Sequence, residues 1–316
     1  MPSTIPTAAS GNGWLPKAAA FWRRANAGHG ASDKYVTAAL FLIPGLALFT
    51  LFVMLPMIEA GYYSFFNWNG YGTPTDFVGL RNYEQLIGQK IFHSALWNNV
   101  LVIAVSLLVQ LPLAMTMALI VAEKMPGSYL FRTIFFLPYI LAEIAAGLIW
   151  KFIYDGENGL IAAIFGWFGA QAPFLLASRE WAFSAILVVL VWKYFGWHMM
   201  IFIAGIQNIS EEVVEAARMD GATRRQINWY VKIPLLLPTI RLSVFFSVLG
   251  SLQLFDLIIP LTGGGPANSS HSVVSYLYYF GMGRMRIGYG SAVGVILFIL
   301  CVVFAFTYRR TLMRHD

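Results

Sequence analysis

The sequence predicts an all-α polytopic membrane protein with about six transmembrane helices. Three observations carry that expectation. Of 316 residues, 58% are hydrophobic and 11% charged, and mean hydropathy is +0.66, outside the range of an ordinary soluble domain. Apolar runs long enough to cross a bilayer recur along the chain, each needing about 20 residues. The runs are continuous rather than alternating, which argues against a β-barrel. Cys301 is the only cysteine, so neither a disulfide framework nor a cysteine metal cluster is expected. The net charge of +6 lies mostly in loops, which fits membrane topology better than nucleic-acid binding.

The elements follow in order. Residues 1–34 form a polar tail without the early apolar core of a secretory signal. Its Phe21-Trp22-Arg23-Arg24 cluster either rests on a membrane surface or belongs to a disordered tail. A first span is expected over 35–63, with Pro44 and Pro56 tolerated because neighbouring helices satisfy freed carbonyls. A turn-rich polar stretch leads to a second span at 96–121, and a short link to a third at 133–154. The turn Asp155-Gly156-Glu157-Asn158-Gly159 opens another polar loop before the fourth span, 181–206. The charged stretch 209–241 follows, then a fifth span at 242–261, a break at Thr262-Gly263-Gly264-Gly265-Pro266, a sixth span at 290–308 and a basic tail, 309–316.

With the N-terminus placed in the cytoplasm, about 14 Lys and Arg fall on the cytoplasmic side against about 6 outside. That bias supports six spans with both termini cytoplasmic. It also puts residues 209–241 in the cytoplasm. Two short helices are expected there. Ser210 caps the first, with Glu211 and Glu212 in its first turn, and Gly221 ends it. Thr223 caps the second, with Gln226 at capping-box spacing. Pro234 and Pro238 then redirect the chain.

The run Glu215-Ala216-Ala217, Asp220-Gly221-Ala222 and Val231 through Pro238 resembles the EAA loop of permease subunits of bacterial ABC importers. Phe77-Val78-Gly79-Leu80-Arg81-Asn82-Tyr83, Phe255-Asp256 and Thr262 through Pro266 narrow the resemblance to the carbohydrate-uptake branch, the maltose and glycerol-phosphate type. It covers about 36–310, and Asn228 departs from it, where the family usually has phenylalanine. The resemblance implies the MetI-like fold of type I ABC importers in a bacterial inner membrane. It implies that Glu215, Ala216, Ala217, Asp220, Gly221 and Ala222 couple to a cytoplasmic ATPase dimer, which would hold ATP and Mg. It also implies a second homologous permease subunit and an extracytoplasmic substrate-binding protein, which would meet the Gly263–Pro266 loop and the stretch near Asn82. The small Ala216 and Ala217 would let the first helix lie close in a partner groove, and Glu215 offers a carboxylate to a basic residue.

Ionisable groups in spans are expensive and face cavities or other charges. Glu59, Glu143, Lys193, His198 and Asp256 are of this kind. By the same resemblance, a substrate site falls on Lys193, Tyr194 and Trp197 of the fourth span and on Ser247, Gly250, Ser251 and Leu254 of the fifth. Each set has helical spacing and can form one face. The aromatic pair could stack on a sugar ring or simply pack. The serines could hold hydroxyls or bond back to their own helix. Lys193 pairs either with an anionic substrate group, such as a phosphate, sulfonate or uronate, or with Glu143, Asp256 or a partner subunit.

No phosphate-binding GxxxxGK[ST] loop occurs, and the histidines lack metal-ligand spacing. A transport subunit without catalysis of its own is therefore expected. An ABC permease for an amino acid or peptide is the rival reading, and an ATPase-independent secondary transporter a further one.

Overall fold

The computed structural model describes residues 31–122 and 127–312, with side chains from residue 37. The expected tail, with its Phe21–Arg24 cluster, lies almost wholly outside those residues, and the last four residues also lie outside. The described residues fall into two compact units that divide between residues 59 and 60. Helix α1, Thr37–Tyr63, carries the described part of the first unit and runs on into the second. It contains a π-helical turn at Thr50–Met54, and Pro44 and Pro56 are accommodated within it.

The second unit is helical. Its elements are α2 (Arg81–Gly88), α3 (Lys90–Val121), α4 (Ser128–Ile140), α5 (Glu143–Ile153), α6 (Leu160–Trp167) and α7 (Ala182–Gln207). There follow α8 (Glu211–Met219), α9 (Arg224–Leu235), α10 (Leu237–Leu252), α11 (Ile258–Leu261), α12 (273–282) and α13 (Ile287–Leu312). Four helices, α1, α3, α7 and α13, are long and apolar enough to cross a membrane, and there are six candidate spans if the bent pairs α4–α5 and α9–α10 each count as one.

The expected third span, 133–154, is not one rod. It breaks after Ile140, and α5 leaves α4 at 98°. Pro138 withholds a backbone donor near the end of α4, and Leu141 and Ala142 are extended, with ψ of 138° and 140°. Glu143 then opens α5, where an acid suits the positive helix end. The expected fifth span, 242–261, also differs. Its helix starts earlier and ends at Leu252, and the chain turns through Gln253–Leu257 before the short α11.

Small residues decide which helices touch, because lipid gives little apolar drive for helices to associate and close backbone approach supplies packing instead. Ala114 and Ala118 of α3 are fully buried and pack with Met199, Phe202 and Ile203 of α7. A side chain at Gly196 of α7 would run into the backbone of Phe135 on α4. Gly147 of α5 likewise leaves room for Pro260 on α11. A second core joins Leu86, Phe92, Tyr276 and Tyr289 at the opposite end of α3.

Two adjacent asparagines tie that end together. Asn98 donates to the Ser269 and His271 carbonyls at 2.8 and 2.9 Å. Asn99 donates to the Ser251 carbonyl at 2.6 Å and accepts from the Val273 amide at 2.8 Å. Both are buried. Each buried amide thus finds partners that would otherwise be unpaired chain ends.

Candidate functional site

Six of the seven predicted residues, on α7, on α10 and just after α10, meet across a cavity of about 330 Å³. Tyr194 and Trp197 line one wall, and Ser247, Gly250, Ser251 and Leu254 line the facing one. Further walls were not anticipated: Ser106 and Gln110 come from α3, Tyr139 from α4 and Gln253 from the turn after α10, beside Asp256, one of the ionisable groups expected to face a cavity. Its size is that of a pocket for a small molecule.

Aromatic rings frame one side. Tyr139 and Trp197 lie nearly parallel, with centroids 5.9 Å apart, and Phe246 meets Trp197 edge-on at 5.7 Å. Polar groups frame the other. The Ser251 hydroxyl donates to the Ser247 carbonyl at 2.7 Å, the back-bonding that serines in helices favour. The Ser247 hydroxyl and the Gln110 amide oxygen are sheltered and have no partner among the described residues. Leaving such groups unpaired costs about 1–3 kcal/mol each. A polyhydroxylated solute offers both donors and acceptors to them.

Lys193 stands apart. It is fully buried and is not part of the cavity wall. Its ammonium donates to the Leu141 carbonyl at 2.6 Å and the Pro138 carbonyl at 3.2 Å, and lies 3.5 Å from the Glu143 carboxylate. The expectation that Lys193 meets an anionic substrate therefore gives way to its other reading, the pair with Glu143. The reason is the break in the third span, which frees helix-end carbonyls that a cation satisfies. Tyr194 donates to the same carboxylate at 3.0 Å. Asp256 is exposed at the cavity mouth. With Lys193 engaged, the cavity wall carries one carboxylate and no lysine or arginine.

The residues expected to couple to an ATPase lie together on the charged loop. Ser210 caps α8 by accepting from the Glu212 amide at 3.3 Å. Gly221 adopts φ of +80° and turns the chain, a conformation that glycine takes without strain. Thr223 and Gln226 form the capping box at the start of α9. The chain bends by 67° between α9 and α10, where Pro234 and Pro238 lie. No residue of α8 is buried, and Glu215, Ala216, Val213 and Met219 are exposed, Met219 to 88%.

The two motifs that flank the first and fifth expected spans are built as braces. Asn82 is buried and donates to the Ser64 and Phe66 carbonyls at 2.9 and 3.0 Å. In the glycine-rich loop, Gly264 has φ of +88° and closely faces the His271 ring, leaving no room for a side chain. Burial pushes the His271 imidazole down to about 4.

Comparison with known proteins adds to this geometry. The profile of a family described as binding-protein-dependent transport system inner membrane component matches residues 110–312. The multiple sugar-binding transport system permease protein MsmF of Streptococcus mutans is 34% identical over 261 residues, 82% of this chain and 89% of that protein. The sn-glycerol-3-phosphate transport system permease protein UgpA of Agrobacterium fabrum is 29% identical, covering 85% and 92%. A crystal structure of a bacterial ABC transporter involved in the import of the acidic polysaccharide alginate contains a chain that superimposes with a TM-score of 0.80 at 22% identity, over 94% of this chain and 99% of that one.

Proposed function

Because this chain belongs to the family of binding-protein-dependent transport system inner membrane components, a family of multi-pass, non-catalytic ABC permease subunits, we propose that it forms one half of the pathway by which an ATP-driven importer moves a neutral, polyhydroxylated sugar or sugar derivative into the cytoplasm. The observation that carries this reading is the cavity between α7 and α10. It pairs stacked aromatic rings with unpartnered polar groups and has no lysine or arginine in its wall. Sugars present apolar ring faces and hydroxyl edges, and this lining suits both.

The mechanism is alternating access between two populated states. A soluble binding protein delivers the sugar to the face that bears the Gly263–Pro266 loop. A separate ATPase dimer binds ATP with Mg and closes. The exposed helix α8 sits in its surface, and Gly221 gives α8 and α9 a fixed angle through which that closure reaches α10. A second, homologous permease subunit completes the pathway. The charge bias of the loops supports both termini facing the cytoplasm of a bacterial inner membrane.

The test is uptake by proteoliposomes holding the complete importer and its binding protein. Neutral sugars should be carried with saturable kinetics, and phosphorylated or uronic sugars of the same size poorly. Uptake confined to amino acids or peptides would overturn the sugar reading, and efficient uptake of anionic sugars alone would overturn neutrality.

A further inference from the structure

A second cavity lies away from the one between α7 and α10. It is a groove of about 630 Å³ between the last turns of α3 and the helix α9. Pro112, Met115 and Leu119 of α3 give it an apolar floor along one helix face. Arg224, Arg225 and Trp229 of α9 stand at its other side, and no acidic residue lines it. Arg225 and Trp229 also border a neighbouring surface cavity of about 510 Å³. Trp229 is 61% exposed.

We propose that this groove holds an anionic phospholipid, one acyl chain on α3 and the phosphate against Arg225. The floor spans residues 112–120, about 12 Å at the helical rise, close to half of a hydrocarbon core about 30 Å thick. Arginine beside an apolar helix face at a membrane boundary is the chemistry that selects acidic headgroups. An exposed tryptophan at that level is the usual interfacial anchor. Asn228 adds a further mark. It borders the groove, and its amide oxygen is sheltered with no partner among the described residues. A glycerol headgroup carries hydroxyl donors for that oxygen, so phosphatidylglycerol fits better than phosphatidic acid.

The complete importer, purified with its partner subunits into phosphatidylcholine nanodiscs doped with dioleoyl phosphatidylglycerol, tests this. Native mass spectrometry counts the lipid retained. The proposal expects phosphatidylglycerol to be retained over phosphatidylcholine, and Arg225→Gln to lower that retention about five-fold. Leu119→Trp, which fills the groove without touching charge, should lower it as well, with gel filtration confirming assembly. Asn228→Leu should weaken retention of phosphatidylglycerol and leave that of phosphatidic acid unchanged. Equal retention of neutral and anionic lipid overturns the proposal, as does retention indifferent to Arg225→Gln. Full competition by excess inorganic phosphate, or a groove closed to lipid only when the partner subunits are present, overturns it too.

Discussion

The Lys193 ammonium donates to the carbonyl of Leu141 at 2.6 Å, so a side chain of one span finishes the broken end of another. Glu143, at the start of the next helix, balances that charge from 3.5 Å. A cation, two carbonyls and a carboxylate therefore hold the 98° elbow between α4 and α5.

Removing one partner of a buried pair should cost more than removing both. Lys193→Met leaves two helix-end carbonyls without their donor and the half-buried Glu143 with Tyr194 alone, with a loss of up to about 3 kcal/mol. The double variant Lys193→Met, Glu143→Gln should recover part of that loss. Thermal unfolding in detergent reads both. A Lys193→Met protein of normal stability that fails only with anionic solutes would return Lys193 to the substrate.

Trp197→Ala should raise the KM for uptake by up to about ten-fold, the loss of one aromatic contact. Ser247→Val should raise it about five-fold, the loss of one hydrogen bond. Both should spare the basal ATPase rate of the assembled importer. Unchanged KM in both variants would show that the cavity is not on the solute's route.

Gly221→Pro places a residue locked at φ near −65° where the chain needs +80°. The spans still insert, but ATP hydrolysis should proceed without transport. The ratio of solute carried to ATP consumed is the measurement, and a normal ratio would remove α8 from the coupling path.

His271 sets a pH dependence. Its pKa is pushed from the ordinary 6.5 down to about 4 by burial. The unfolded chain therefore binds the extra proton first. Stability from this group is complete above about 6.5, the unfolded value, and is lost as pH falls through that value towards 4. The slope from one such group reaches about 1.4 kcal/mol per pH unit. Melting temperature should fall over that window, and less steeply in His271→Asn. An identical slope in both proteins would refute the assignment.

Much of this was legible from local chemistry. The caps at Ser210 and Thr223, the turn at Gly221 and the faces of α7 and α10 depend on residues a few positions apart, and spacing reports those. What escaped depends on which helices cross. Ser106 and Gln110 are polar residues four apart in an apolar run, a signal of a polar-facing stripe, but nothing local says that the stripe meets Ser247. The choice between substrate and carboxylate for Lys193 turned on a helix break fifty residues upstream. Pro138 hinted at that break, yet prolines at 44 and 56 sit inside an unbroken helix, so proline alone does not decide. Asn98 and Asn99 read as ordinary polar residues at a span entrance, and only the return of residues 269–273 gives them work.

Lys193 and Tyr194 are consecutive on α7, and both reach the carboxylate of Glu143. One of them belongs to the elbow and the other to the cavity wall. Turning or sliding α7 by even part of a helical step must disturb both at once. The chamber and the bent strut are thus geared to a single shaft, and whatever reorients Tyr194 loosens the strut without touching it.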